Sequence, residues 1–237
     1  MTPQIIRRGL LDYTHCLNEM RAYTAQRDVT TPDQIWLVQH APVYTLGQAA
    51  NLEHLRIGES TSTLAKSWTP EENSQNVGYL HQIPVIKTDR GGQVTYHGPG
   101  QLIAYLLLDI QRRNLFVREL VRRIEQAIIT TLDELKIEST RHAGQPGIYL
   151  KRAPHIGAKI AALGLKISRG CSYHGLALNI AMDLRPFSWI NPCGQMGLET
   201  IDLASLGVHV SLATIEERLT QHLLEQLTIP AQRKSNE

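Results

Sequence analysis

The order of apolar segments along the chain most constrains how it can fold. Short apolar runs with strand-like composition, such as residues 35–38 and 102–108, greatly outnumber the segments with helical spacing. The clearest helix spans residues 116–135, where Leu120, Ile124 and Ile128 recur on one face. Many short strands combined with few helices predict an α/β (α+β) fold, a single domain with a mixed β-sheet flanked by helices.

Local patterns place the other elements. A first helix is expected over residues 12–27, and Thr214 followed by Glu217 resembles a capping box that opens a last helix ending near Leu227. The segments 159–167 and 172–182 are expected to be neighbouring strands. Further strands are predicted at 35–38, 83–87, 102–108 and 147–150, with residues 42–47 as strand or loop.

The chain shows no repeat and no change of composition, so one domain is expected over residues 1–229. Within it, residues 51–82 are polar enough to predict a surface loop, and residues 230–237 are expected to form a flexible tail. A loop of this length is unusual in a compact domain, which indicates an insertion or a functional segment.

Bulk properties exclude several classes of protein. The formal net charge is +2 with no tract rich in Lys and Arg, so nucleic acid is not an expected partner. No apolar run approaches the roughly 18 residues that cross a bilayer, and the chain start lacks the layout of a secretory signal. Cys16, Cys171 and Cys193 have no CxxC spacing, so neither disulfides nor a metal site are predicted. A cytoplasmic location is expected.

Cys193 is a candidate nucleophile. Pro192 fixes the backbone just before the thiol and Gly194 frees it just after, which predicts a tight turn that presents the side chain. A thiolate attacks a carbonyl well and later leaves well, so it suits the transient carriage of an acyl group. The alternative from spacing alone is a small hydrophobic residue in a turn.

A nucleophilic thiol needs a base, and Lys159 is one candidate. Strand alternation would put it on one face with Ala161 and Leu163, where burial would make the amine lose its proton more easily. Alternatively, Lys159 reaches solvent at the strand end. His97 and His174 are rival bases, and each could equally be a hydrogen-bonded core histidine.

The densest unusual stretch is the glycine-rich run from Arg90 to Gly100. Its glycines would allow close approach of backbone N–H groups to a ligand oxygen. The run matches neither GxGxxG nor GxxxxGK[ST], so nucleotide binding of those kinds has no support. A tight hairpin without a ligand is the alternative.

Three blocks of residues, 90–101, 157–179 and 187–194, together resemble the lipoate-protein ligase B family, the octanoyl-[acyl carrier protein]:protein octanoyltransferases. The blocks fall in the order and spacing of that family, and the resemblance runs from about residue 40 to residue 199. The main departure is the polar stretch at 56–82, which is longer than the family leads one to expect and contains no expected catalytic position.

The resemblance implies a catalytic domain like that of biotin and lipoate ligases, with Cys193 as the acyl-carrying nucleophile and Lys159 as its general base. It implies transfer of an octanoyl or lipoyl group from acyl carrier protein to a specific lysine of lipoyl domains of 2-oxoacid dehydrogenases and of glycine cleavage H protein. No cofactor or metal is implied, and a monomer is expected. The implied substrate-binding residues are Arg90, Gly91, Gly92, Gln93, Val94, Thr95, Tyr96, His97, Ala162, Leu163, Gly164, Gly175, Leu176 and Ala177.

Other functions remain open from the sequence. An ATP-dependent lipoate or biotin-type ligase would share the fold but would not need the cysteine, and a non-catalytic acyl or carrier-protein binding module would use neither Cys193 nor Lys159. A Cys/His hydrolase would waste the acyl group. Arg118 and Arg122, four residues apart on the long helix and near three further arginines, could dock an acidic carrier protein or form a solvated helix face.

Overall fold

The computed structural model describes residues 2–56, 68–70 and 76–229, and these form twelve strands and three α-helices. The helices are α1 (Tyr13–Ala25), α2 (Val117–Glu134) and α3 (Leu212–Thr228). The strands are β1 (Gln4–Leu11), β2 (Gln34–His40), β3 (Val43–Leu46), β4 (Trp68–Pro70), β5 (Asn76–Leu80), β6 (Ile83–Lys87), β7 (Val94–His97), β8 (Gln101–Asp109), β9 (Ser139–His142), β10 (Gln145–Leu150), β11 (Lys159–Ser168) and β12 (Cys171–Asn179).

The larger of two sheets has seven strands in the order β1-β2-β8-β12-β11-β10-β9. Its β1 and β2 run parallel, whereas the other neighbouring pairs are antiparallel. The sheet is therefore mixed, as the sequence predicted, and β11 and β12 are neighbours. The second sheet has the order β4-β5-β6-β3-β7 and is also mixed, because β3 and β6 pair in parallel.

Helices cover both faces of the larger sheet. The apolar stripe of α2, with Leu120, Ile124 and Ile128, packs with α3 residues such as Leu219 into one core cluster on the sheet. On the opposite face, α1 contributes a second cluster that includes Leu17. Burying a single leucine side chain stabilises the fold by roughly 1.5–3 kcal/mol, so these stripes fix the layer order. None of the described helices is long and apolar enough to cross a membrane.

The predicted loop at residues 51–82 is partly wrong. It contains a 3₁₀ helix at Leu52–Leu55 as well as β4 and β5, while residues 57–67 and 71–75 lie outside the described residues. Strand β5 turns into β6 through His81 and Gln82, whose φ angles are 49° and 65°. A two-residue hairpin of this kind usually carries Asn or Gly, so its sequence signal was missing. The predicted tail at 230–237 also lies outside the described residues.

Two other boundaries differ from the expectation. Helix α3 begins at Leu212, and its N-cap is Ser211, whose side chain accepts a hydrogen bond from the Thr214 amide. The capping box predicted at Thr214 is therefore wrong, because a serine three residues earlier satisfies that amide. In the glycine-rich run, four residues form β7, which pairs with β3. Helices α1 and α2 were predicted correctly.

Candidate active site

Cys193 lies in a tight turn at the edge of a cavity. Its φ angle of 57° is in the left-handed region, and Gly194 follows with a φ of 74°. The turn is fixed by two backbone hydrogen bonds, from the Gly194 amide to the Asn191 carbonyl (2.9 Å) and from the Asn191 amide to the His54 carbonyl (2.7 Å). A non-glycine residue in this conformation is strained by about 1–3 kcal/mol, and such strain is concentrated at functional positions.

The amine of Lys159 meets the thiol. Its Nζ atom lies 2.9 Å from Sγ of Cys193 and donates to the Pro146 carbonyl at 3.0 Å. The ring of Tyr149 is on a further side, with its centroid 5.0 Å from Nζ. These three neighbours suit an ammonium group, which has three N–H donors.

Lys159 reaches this position because of a β-bulge. Tyr149 pairs with Lys159 and Ile148 pairs with Ala161, which leaves Ile160 as an extra residue in β11. The extra residue reverses the alternation, so Lys159 faces the cavity together with Ala162 and not with Ala161. The predicted placement of Lys159 on the face of Ala161 is therefore wrong, although the strand itself was expected and Leu163 lines the same cavity as Lys159.

The electrostatics of Lys159 also differ from the expectation. Burial lowers the pKa of Lys159, but the negative charge of the Cys193 thiolate and the hydrogen bond to it, with a smaller contribution from Tyr149, raise the pKa above its ordinary value. Burial alone would have led to an easily lost proton, as expected for Lys159 on an apolar strand face. With the thiol nearby, the arrangement favours the charged ammonium form of Lys159.

Gly147 makes room for the lysine side chain. A Cβ atom at this position would lie 2.4 Å from Cε and 2.9 Å from Nζ of Lys159, and the Gly147 φ angle is 132°. The Gly147 amide donates to the buried carboxylate of Glu125 on α2 at 3.1 Å. Arg141 lies 3.3 Å from the other carboxylate oxygen of Glu125. This part of β10 is thereby held against the Lys159 side chain.

A cavity of about 410 Å³ extends from Cys193 and Lys159 along β11 and β12. It is lined by all but one of the substrate-binding residues implied by the resemblance: Arg90, Gly91, Gly92, Gln93, Val94, Thr95, His97, Ala162, Leu163, Gly164, Gly175, Leu176 and Ala177. The exception is Tyr96, whose ring packs with Tyr44 and Phe187 in a separate core cluster. Alternation along β7 turns it away from its neighbours Thr95 and His97.

Arg90 holds the glycine-rich loop in place. Its buried guanidinium donates to the carbonyl oxygens of Thr45 (2.7 Å), Gln93 (2.8 Å) and Gly91 (2.9 Å). The Gly91 amide in turn donates to the carbonyl of Leu165 on β11 at 2.9 Å. The loop is therefore clamped between the second sheet and the edge of β11, and it forms one wall of the cavity.

The two histidines considered as bases have other partners. His97 is hydrogen-bonded to the Gln101 side chain at 2.7 Å, and His174 is hydrogen-bonded to Asp89 at 2.8 Å. Burial lowers the pKa of both imidazoles, that of His97 to about 3. His174 lines the cavity with a φ angle of 60° inside β12. Both rings are buried, hydrogen-bonded groups that line the cavity.

Several contributors to the site were not singled out from the sequence. They include Tyr149, the Pro146 carbonyl, Gly147 and Glu125, which surround or fix Lys159. Of these, only Gly147 in β10 offered a signal in the sequence, because a glycine within a strand often marks a place where another group approaches the backbone closely. Within the described parts of the chain, no three His, Cys, Asp or Glu side chains are grouped to hold a metal ion.

Comparisons with known proteins identify the family of this chain. The family model described as "Lipoyl protein ligase A/B catalytic domain" matches residues 12–224. The octanoyltransferase of Cupriavidus necator is 54% identical over 210 residues, covering 89% of this chain and 70% of that protein. The octanoyltransferase of Burkholderia pseudomallei strain K96243 is 52% identical over 219 residues, covering 91% and 88%.

Solved structures share the fold at low sequence identity. A bipartite lipoate protein ligase from Thermoplasma acidophilum has a TM-score of 0.68 and 14% identity, with 96% of this chain and 84% of that chain covered. Biotin protein ligase from Aquifex aeolicus has a TM-score of 0.51 and 9% identity, covering 96% and 69%. The expected likeness to lipoate and biotin ligase domains is confirmed. The chain belongs to the lipoyl protein ligase A/B family and, within it, to the octanoyltransferases.

Proposed function

We propose that this protein transfers an octanoyl, or lipoyl, group from acyl carrier protein to a specific lysine of lipoyl domains through a thioester on Cys193. The observation that carries the proposal is the 2.9 Å contact between Lys159 Nζ and Cys193 Sγ at one end of the cavity. The relatives named octanoyltransferases, at 52–54% identity, support the same acyl group.

In the first half-reaction, Lys159 holds the proton of Cys193 as an ammonium, and the thiolate attacks the thioester carbonyl of the donor. The bond from the acyl carbon to the donor sulfur breaks as the bond to Sγ forms. The departing carrier thiolate then takes the proton from the Lys159 ammonium. One thioester replaces another, so the step is nearly balanced in energy and needs no ATP.

In the second half-reaction, the ε-amine of the acceptor lysine attacks the thioester on Cys193. The acceptor arrives as an ammonium and must lose two protons to become an amide nitrogen. Lys159, left neutral by the first half, accepts one of them and restores the ion pair with Cys193. The second goes to solvent, so each turnover releases one proton, and amide formation drives the reaction forward.

The oxyanion of each tetrahedral intermediate needs N–H donors. The turn after the cysteine is one candidate source of such donors. Its Gly194 and Gln195 amides, however, already donate to the carbonyls of Asn191 (2.9 Å) and Pro192 (3.1 Å). We therefore infer that donors from outside this turn stabilise the oxyanion.

The cavity suits a medium-length acyl chain. Its volume of about 410 Å³ falls in the usual range for small-molecule sites, and Ala162, Ala177 and Leu176 supply small and medium apolar walls. Gly164 pairs with Gly175 across β11 and β12, and because neither residue has a side chain, this part of the cavity wall leaves room for an acyl chain. We place the octanoyl chain along these two strands, with its carbonyl at Cys193.

The acceptors that we infer are lipoyl domains of 2-oxoacid dehydrogenases and glycine cleavage H protein. The protein would act as a monomer in the cytoplasm, without a cofactor. An ATP-dependent ligase is the second candidate, since a solved structure on this fold is lipoate-protein ligase A bound with ATP. That structure is 14% identical and bears on the fold alone, whereas the Cys193–Lys159 pair favours acyl transfer.

A transfer assay separates the two functions. Octanoyl-carrier protein and a lipoyl domain are mixed with the enzyme without ATP, and free octanoate with ATP is supplied in parallel. We expect octanoyl-lipoyl domain only from the carrier-protein donor, with parallel-line kinetics when both substrates are varied. Product formed only from free octanoate and ATP would make the protein a ligase.

A further inference from the structure

Helix α2 begins with residues that are poor choices for a helix start. Its N-cap is Phe116, which makes no capping hydrogen bond through its side chain and is 78% exposed. Val117, the first helical residue, is 41% exposed. N-caps are normally Ser, Thr, Asp or Asn, and replacing a capping side chain by an apolar one costs about 0.5–2 kcal/mol.

The first turn of α2 carries one charge of each sign, a favourable one on Glu119 and an unfavourable one on Arg118. Arg118 is exposed in the first turn of α2, where the helix dipole presents its positive end. A cation here is disfavoured by roughly 0.3–1 kcal/mol. Residues that work against the local structure in this way mark positions kept for another purpose.

Within the described parts of the chain, Arg118 has no ion-pair partner, unlike the four arginines near it in the sequence. Arg112 and Arg113 bind the buried carboxylate of Asp33, which ties them to the fold. The other two are bound through Glu119, which receives hydrogen bonds from Arg122 at 2.8 and 2.9 Å and from Arg123 at 2.8 Å.

The same helix end borders the mouth of the acyl cavity. Val117 and Val121 line the cavity that holds Cys193 and Lys159. Gln195 also lines the cavity, and Met196, the next residue, is 81% exposed. Phe116 and Met196 are thus exposed apolar side chains next in sequence to residues that line the cavity, and Val117 is both exposed and part of the lining.

We propose that Phe116, Val117, Arg118 and Met196 form a docking surface for the acidic carrier domain that delivers the acyl thioester. This inference rests on the proposed function, because a thioester attached to a folded carrier enters the cavity only while the carrier rests against its mouth. Apolar side chains at the centre of a contact supply binding energy, and a cation beside them favours a negatively charged partner.

The replacement Phe116→Ser tests the surface, because it is expected to change stability and transfer in opposite directions. Serine restores an N-cap, so the midpoint of thermal unfolding should rise by about 2–4 °C. The value of kcat/KM for octanoyl-carrier protein should fall about tenfold or more. Acylation of Cys193 by octanoyl-pantetheine, which has no carrier domain, should keep its wild-type rate.

Charge reversal tests the second part of the surface. Arg118→Glu should lower kcat/KM for octanoyl-carrier protein at low salt, and the difference from wild type should shrink near 1 M salt, where charges are screened within about 3 Å. Leu10→Ser is the matched control for Phe116→Ser, because it also replaces an exposed apolar side chain by serine. Leu10 is 59% exposed on β1, at the edge of the large sheet opposite β10 and β9, and its replacement should leave transfer unchanged.

The outcomes separate the docking surface from the proposed function. Failure of octanoyl-pantetheine to acylate the wild-type protein would count against the thioester mechanism itself. If the small donor works and both Phe116→Ser and Arg118→Glu use octanoyl-carrier protein as well as wild type does, the docking surface is wrong. A loss for the lipoyl-domain acceptor alone would also overturn the proposal and assign the surface to the acceptor.

Discussion

The replacement Gly147→Ala should disable the base without touching Cys193. An alanine Cβ would lie 2.4 Å from Cε of Lys159 and 2.6 Å from the Ala161 carbonyl oxygen. Carbon atoms in contact are normally about 3.5–4.0 Å apart, so the lysine side chain must move by about 1 Å or more. The contact between Nζ and Sγ, now 2.9 Å, would not survive that shift.

The size of the effect follows from two terms. A displacement of about 1 Å at a reacting group costs roughly 10²-fold in rate, and loss of a general base costs about 10²–10⁴-fold. We therefore expect transfer to fall by about 10²-fold or more. The φ angle of 132°, which glycine alone adopts without strain, adds a destabilisation of about 1–3 kcal/mol.

Three assays separate the loss of the base from the backbone strain. Octanoyl transfer and the rate of Cys193 alkylation by iodoacetamide at neutral pH both report on the thiolate, and thermal unfolding reports on strain. Gly157→Ala is the matched control, because Gly157 has a φ of 83° and an added Cβ would meet no atom within 4 Å. The control should lose stability but keep alkylation and transfer.

One result would refute this reasoning. If Gly147→Ala folds, alkylates at the wild-type rate and transfers octanoyl at the wild-type rate, the position of Lys159 does not depend on the space that Gly147 leaves. A loss of transfer equal to that of Gly157→Ala would likewise show that backbone strain, and not displacement of the amine, is responsible.

Three further predictions follow from the same structure. Lys159→Met removes the amine and keeps much of the side-chain bulk, so Cys193 alkylation at neutral pH and transfer should both fall, transfer by about 10²–10⁴-fold. Ser211→Ala removes the cap of α3 and should lower stability by about 1 kcal/mol in urea unfolding, with transfer unchanged. Burial, His40 and Arg90 lower the pKa of His97 to about 3 in the folded state, below the value of about 6.5 in the unfolded chain, so its contribution to stability is lost as pH falls between these values. Protonation of His97 in the unfolded chain should lower the free energy of unfolding at pH 5 by about 2 kcal/mol relative to neutral pH. The replacement His97→Gln should remove this part of the pH dependence.

The sequence was informative where chemistry depends on a local motif. The turn around Cys193 could be predicted because Pro192 and Gly194 constrain the backbone directly, and the observed φ angles of Cys193 and Gly194 agree with a tight turn. The helical spacing in α2 is similarly local, and its predicted bounds were within one residue of those observed.

Features that depend on pairing between strands could not be predicted in the same way. The bulge at Ile160 reverses the face of Lys159, and it becomes visible only once β10 is placed beside β11. The hairpin between β5 and β6 turns on His81 and Gln82, which carry no usual turn signal.

Electrostatic coupling is likewise a property of the folded site. Burial alone predicted a lower pKa for Lys159, and the approach of Cys193 reverses that direction. No spacing in the sequence fixes the 2.9 Å contact, because residues 159 and 193 belong to separate elements that only the packing of β11 against the cysteine turn brings together.

The most direct test of the account is the intact mass of the protein after mixing with octanoyl-carrier protein, measured for wild type and Cys193→Ala. We expect one added octanoyl group on wild type and none on Cys193→Ala. When a lipoyl domain is then added without ATP, the wild-type protein should lose the octanoyl mass and the lipoyl domain should gain it. An adduct of equal extent on Cys193→Ala, or transfer to the lipoyl domain by Cys193→Ala at the wild-type rate, would contradict the account.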